Sequence, residues 1–135
     1  MSNDIARVPA DFCQKGWSFM QLAATIIAVL LALAFLVIGG AKIAGLPAMR
    51  EAADHFGIPF NKFRSIGVLE IAGALGILIG FANKTLGIAA AIGLFLLLIG
   101  AVASHIRVRD PFVKLVPALL LGVLAAAYVW LRLTL

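Results

Sequence analysis

LAATIIAVLLALAFLVIGGA, the run from Leu22 to Ala41, is twenty consecutive residues without a charge. A helix rises about 1.5 Å per residue, so the run covers about 30 Å, the thickness of the hydrocarbon core of a bilayer. It is longer than a typical signal-peptide core, and Lys42 follows where a small-residue cleavage site would be expected. A retained membrane span is the expectation. Three more apolar runs lie downstream: Ile66 to Ala82 with Glu70 inside it, Leu86 to Ala103, and Leu115 to Leu131. These runs are continuous and do not alternate, which excludes a closed β-barrel.

The rest of the composition agrees with lipid as the main solvent. Hydrophobic residues make up 64% of the 135 and charged residues 13%, with a mean hydropathy of +1.13. No segment is left to bury a separate aqueous core. The expected organisation is a polar N-terminal arm over residues 1–18 and one membrane domain over 19–135. The fold class is all-α: a four-helix transmembrane bundle with a short amphipathic helix in its first loop. The formal charge of +5 lies almost wholly in the gaps between runs, so it signals topology and not nucleic-acid binding. Cys13 is the single cysteine, which excludes an internal disulfide, a CxxC redox pair and a thiolate cluster.

The connections are unequal. Asn83 and Lys84 form a minimal turn, which predicts a tight antiparallel hairpin of the second and third runs, helped by the small residues Ala72, Gly76, Gly80, Gly87 and Ala91. The first connection is long. Within it Met49, Ala52, Ala53 and Phe56 recur at helical spacing, Pro47 suits a first turn, and Gly57 with Pro59 stops the pattern. That describes an amphipathic helix from Ala48 to Phe56 lying against the bilayer surface. With four spans, Arg7, Lys15, Lys84 and Arg132 fall on one side and seven other basic residues on the opposite side. The positive-inside bias then puts the protein in the cytoplasmic membrane with both termini outside. Trp17, Phe19, Tyr128 and Trp130 read as an interfacial belt.

Glu70 is the residue that invites chemistry, because an ionisable group inside a span is costly and needs a partner or a cavity. Alternation of the spans brings Lys42, Glu70 and His105 to the same membrane face, with Arg107, Arg109 and Asp110 at that level. Lys42 is the natural counter-ion. The amphipathic segment, carrying Arg50, Glu51, Asp54 and His55, is placed to cover the site. Two readings stay open: an ion pair that fixes helix register, or a carboxylate and an imidazole that exchange protons with a lipophile under a lid. Phe56, Phe60 and Phe63 are candidates for lining such a pocket or for anchoring to headgroups. His55 reads as a surface residue, and no spacing of ligands predicts a metal.

Short motifs carry a resemblance. Gly39-Gly40-Ala41-Lys42-Ile43, the turn Phe56-Gly57-Ile58-Pro59, Gly67-Val68-Leu69-Glu70-Ile71-Ala72-Gly73 with Gly76 and Gly80, and His105, Arg107 and Asp110 are similar to the DoxX-like family of small bacterial membrane proteins. The resemblance covers roughly Gly39 to Asp110. It implies a four-helix membrane bundle in which the Lys42 and Glu70 positions belong to the characteristic pattern. Some relatives are associated with sulfur oxidation, thiosulfate-to-quinone electron transfer or membrane redox complexes.

Two functions are therefore expected to compete. The first is a small membrane subunit or accessory protein that binds a quinone or another lipophile in a redox or biosynthetic system, with a membrane or peripheral protein partner or as a homo-oligomer. The second is an intramembrane enzyme with Glu70 and His105 as acid and base, and with Lys42, Phe56, Arg107 and Asp110 binding a quinone, a terpenoid or a related substrate. Transport is the less suited role, since four spans with one buried charge give little material for alternating access.

Overall fold

The computed structural model describes residues 9–135, so the first half of the N-terminal arm lies outside the described residues. Five helices follow in order: α1 (Ala10–Ala44), α2 (Pro47–Phe56), α3 (Phe60–Ile79), α4 (Lys84–Arg107) and α5 (Phe112–Thr134). No strand occurs among the described residues. The starts and stops follow from side chains. Pro47 opens α2 where a missing N–H costs nothing. The Asn83 carboxamide caps α4 by accepting from Leu86 N at 3.1 Å. Gly45 and Gly57 end α1 and α2 at φ 68° and 65°, a left-handed turn that glycine adopts at no steric cost.

Four helices close a ring. α1 packs most extensively on α3, α3 on α4, α4 on α5, and α5 returns to α1. Phe35, Leu31, Ile77 and Leu94 fill the middle, with Ala28, Ala32, Ala74, Ala91 and Ala125 letting the backbones approach. Outward-facing side chains are as apolar as the core: Leu33, Val37, Leu69, Leu96, Leu120 and Val123 are all exposed. Such a girdle is stable only in lipid, where packing of small and large side chains holds helices together instead of the release of water. Accordingly α1, α4 and α5 are each long and apolar enough to cross a membrane.

Several expectations need correction. The second apolar run begins at Ile66 in the sequence, but α3 starts nearly two turns earlier at Phe60. It therefore contains Lys62, Arg64 and Glu70 and is not among the helices that qualify as spans on length and composition. The α3–α4 hairpin is as tight as its small residues predict, a Cβ on Gly80 lying 2.7 Å from the Gly87 Cα, but α1 packs on α3 just as closely and over a greater extent. The turn is also longer than Asn83-Lys84, running from Gly80 to Asn83. Finally, Tyr128 is not an interfacial residue. It is 2% exposed, and its hydroxyl fills the space where glycine side chains are missing at Gly80 and Gly87. Trp17 and Trp130, at the same end, do face outward.

The α1–α3 contact rests on backbone touching backbone. A Cβ on Gly39 would lie 2.7 Å from the Gly67 carbonyl oxygen, and one on Gly67 would lie 2.8 Å from that of Gly39. Neither oxygen can move without bending its helix. Gly67→Val is expected to destabilise the bundle by about 1–3 kcal/mol, the usual cost of overpacking. Gly40 has open space where a Cβ would stand, with nothing within 4 Å. It should accept alanine with a change of at most about 1 kcal/mol in its favour. Thermal unfolding in detergent would separate the two, and equal behaviour would refute the assignment of the contact.

Candidate functional site

The Gly39–Gly67 approach places the next turn of each helix within side-chain reach. Lys42 lies three residues after Gly39, and Glu70 three after Gly67. Lys42 Nζ donates to Glu70 Oε1 at 2.6 Å, and both side chains are largely buried. The ammonium also lies 5.0 Å from the centroid of the Phe63 ring, whose negative face adds a second attraction. Glu70 is 6% exposed, and its second oxygen, Oε2, is buried with no hydrogen-bond partner among the described residues. A buried carboxylate oxygen left in this way is costly.

Beside this pair is a cavity of about 400 Å³ lined by Ile38, Lys42, Phe56, Phe63, Glu70, Leu97, Ser104 and His105, among others. Its walls are mainly apolar and its few polar groups converge, the usual make-up of a small-molecule site. A hollow of about 430 Å³ between α4 and α5 is comparable in size, but only apolar residues line it. It offers nothing to chemistry.

Helix α2 roofs the cavity through Met49 and Phe56. Met49, Ala52, Ala53 and Phe56 are its shielded side, as the spacing predicts, and the remaining residues of α2 are exposed. Little else holds it down, since its packing on α1 and α3 is slight. The far end is clasped. His55 Nε2 lies 2.9 Å from Asp110 Oδ1, and His105 Nδ1 lies 2.7 Å from Asp110 Oδ2. The Phe56 ring stands edge-on to His105 at 4.8 Å, and Arg107 Nη2 donates to the Phe56 carbonyl.

Asp110 reaches this position through an unusual turn. Arg109 adopts φ 56°, Asp110 N donates to His105 O at 3.0 Å, and Arg109 N donates to Ile106 O at 3.0 Å. This is the left-handed helix stop that glycine normally provides, here with a side chain that costs about 1–2 kcal/mol. The hydrogen bond from His105 is the main cause that holds the Asp110 carboxyl down at about 2, opposed by burial and aided by His55 and Lys114. An ionised carboxylate only accepts, so His105 Nδ1 carries a proton and the neutral ring would present Nε2 as a lone pair.

Four of the six residues singled out in the sequence, Lys42, Glu70, Phe56 and His105, line the cavity together. Arg107 and Asp110 do not line it. The first is engaged with the Phe56 backbone and the second stands behind His105. Phe60 is also elsewhere, stacked with the guanidinium groups of Arg50 and Arg64. The sequence reading missed Ser104 and Met49 as lining residues and His55 as half of the clasp. Helical spacing from Phe56 offered the signal for Met49; nothing local pointed from His55 to a residue 55 positions on.

A ring of apolar helices around a buried ion pair defines a small helical membrane protein. The chain belongs to the DoxX-like family, which matches residues 26–128 and so takes in the cavity and its clasp. It is 31% identical over 88 residues to "Uncharacterized protein YdgD" of Bacillus subtilis (strain 168), which spans 64% of this chain and 77% of that relative. No solved structure matches.

Lys42→Met should leave a buried carboxylate unpaired and cost about 3–5 kcal/mol, while adding Glu70→Leu should recover most of that loss. Accumulation in membranes and unfolding temperature would both report it, and a double variant no better than the single would overturn the pairing. The clasp has its own pH signature. The folded value of Asp110 is depressed from 3.8 to about 2, so its stabilisation is full above the higher value and disappears as pH falls through the lower. A spin label at Glu51, in a Cys13→Ser background, should stay restrained from neutral pH to about 4 and loosen below that. With Asp110→Asn it should be loose throughout, and unchanged mobility would exclude the clasp.

Proposed function

We propose that this chain crosses the cytoplasmic membrane four times and holds a lipophile with a polar head, of the quinone kind, in the cavity beneath α2. In this role it is a small subunit or accessory protein of a redox or biosynthetic system. The observation that carries the reading is the unpartnered Glu70 Oε2, in a mainly apolar cavity that also contains His105 and Ser104. The hydroxyl of the reduced, quinol form of such a head group would donate to the carboxylate and supply what the protein leaves unmade, which the carbonyls of the oxidised form cannot, while the tail would lie among Ile38, Ile66 and Leu96.

The four-span arrangement has support of its own. Helix α3 has 20 residues, about 30 Å of rise. Its Lys62 and Arg64 lie within the first two turns and are exposed, where long side chains reach the headgroups. Glu70 is offset by Lys42. Seven of the eleven basic residues then lie at the cavity end, which favours that end as cytoplasmic and the termini as external.

A second reading is favoured by the Asp110–His105 contact. A carboxylate behind an imidazole is an arrangement that orients a general base, so the same cavity would carry proton transfer between Glu70, His105 and the head group.

Organic extraction of the protein purified in mild detergent, followed by mass spectrometry, tests both. Wild type should retain a quinone or related lipophile near one per chain, and a bulky Ser104→Phe should reduce retention at least tenfold. No lipophile above the level of a detergent control would exclude binding. If Glu70→Gln keeps the ligand but abolishes its turnover, the enzyme reading is favoured over the accessory one.

A further inference from the structure

A second hollow meets the cavity under α2 from the outside of the ring. It is a trough of about 420 Å³ along the seam of α3 and α4, and every residue that lines it is apolar. Helix α4 gives it its length. Leu86, Ala90, Gly93 and Leu97 line the trough, while Leu97, Gly100 and Ser104 line the cavity. Steps of four, three, four, three and four residues place all six on one face of the helix, so the two hollows lie end to end along α4 and share Leu97. The join is open to lipid. Leu96 lines the cavity and is 61% exposed, and Leu69 lines the trough and is 55% exposed.

The glycines along this seam are of two kinds. On α3, a Cβ on Gly76 would lie 2.6 Å from that of Ala90, and one on Gly73 would lie 2.5 Å from Leu94 Cδ2, so helix packing demands both. On α4, Gly93 and Gly100 have nothing within 4 Å of where a Cβ would stand. Glycine weakens a helix interior relative to alanine, and no contact within the chain accounts for it at these two positions. What the missing side chains leave is clearance, one in the trough and one in the cavity. The polar end identifies the occupant. Glu70 is 6% exposed and lines the cavity with Oε2 unpartnered, and a tail leaving that oxygen past Ile66 and Leu96 comes out beside Leu97, where the trough begins. We infer, on the binding role proposed above, that the trough holds the tail of the molecule whose head lies at Glu70, so that the site takes a lipophile with one long hydrocarbon chain. From Leu97 to Leu86 the helix rises about 16 Å, about half of the hydrocarbon core.

Equilibrium binding to the full chain in mild detergent provides the test, with a benzoquinol ring without a tail, the same ring with a decyl tail, and decanol as probes. Wild type should bind both quinols. Gly93→Phe fills the trough from α4 and Ala72→Phe fills it from α3, both at exposed positions. Each should raise the Kd of the decyl quinol by about tenfold or more, the loss expected when part of a buried tail is displaced, and that of the bare ring by less than about twofold. Comparing variant with wild type for one probe cancels its partitioning into detergent, and retained binding of the bare ring shows that the head site is still folded. Equal changes for the two quinols in both variants, or none for either, overturn the inference and leave the cavity reading standing. Decanol that binds as tightly as the decyl quinol, and is lost with it, would give the trough to any acyl chain and overturns the inference as well. If wild type binds neither quinol, the cavity reading itself fails and takes the inference with it.

Discussion

An ion pair between Lys42 and Glu70, at 2.6 Å in the seam of two apolar helices, constrains everything around it. An ammonium and a carboxylate can be tolerated here only if each neutralises the other, because neither has enough water. That fixes the register of α1 on α3, and the register in turn demands glycine at both Gly39 and Gly67, where backbone meets backbone. The most extensive helix contact in the bundle is thus organised about a charge and a missing side chain, and not about a large hydrophobic residue.

The pair also explains why the cavity lies where it does. Lys42 and Glu70 form part of its wall, and the side chains that complete it come from α2 and the end of α4. The lid itself adds little packing, with Ala53 its one fully buried residue. What it contributes is the pairing of His55 with an aspartate already committed to His105. One carboxylate thereby couples cover and imidazole, so the position of α2 and the hydrogen bonding of His105 change together.

Much of this was legible from the residues, and the failures have physical causes. Continuous apolar runs announce membrane helices because nothing else accommodates twenty residues without a charge. A carboxylate among leucines, and a lysine ending the previous run, are found by alternation alone. The start of α3 was hidden because Lys62 and Arg64 look like loop residues, although exposed basic side chains are compatible with a first helical turn near headgroups. Tyr128 resembled an interfacial aromatic because its burial depends on glycines contributed by α3 and α4. The His55–Asp110 contact required a left-handed Arg109, and no glycine marked that turn.

At the far end from the lid, Gly80 and Gly87 bring α3 and α4 together and the Tyr128 hydroxyl plugs the remaining gap. Between that plug and the cavity lie Phe35, Leu31, Ile77 and Leu94, all fully enclosed. Inside the ring, four enclosed side chains, and not a continuation of the cavity, thus stand between the two rims of the bundle, so the polar groups gathered under α2 belong to one end of the molecule alone.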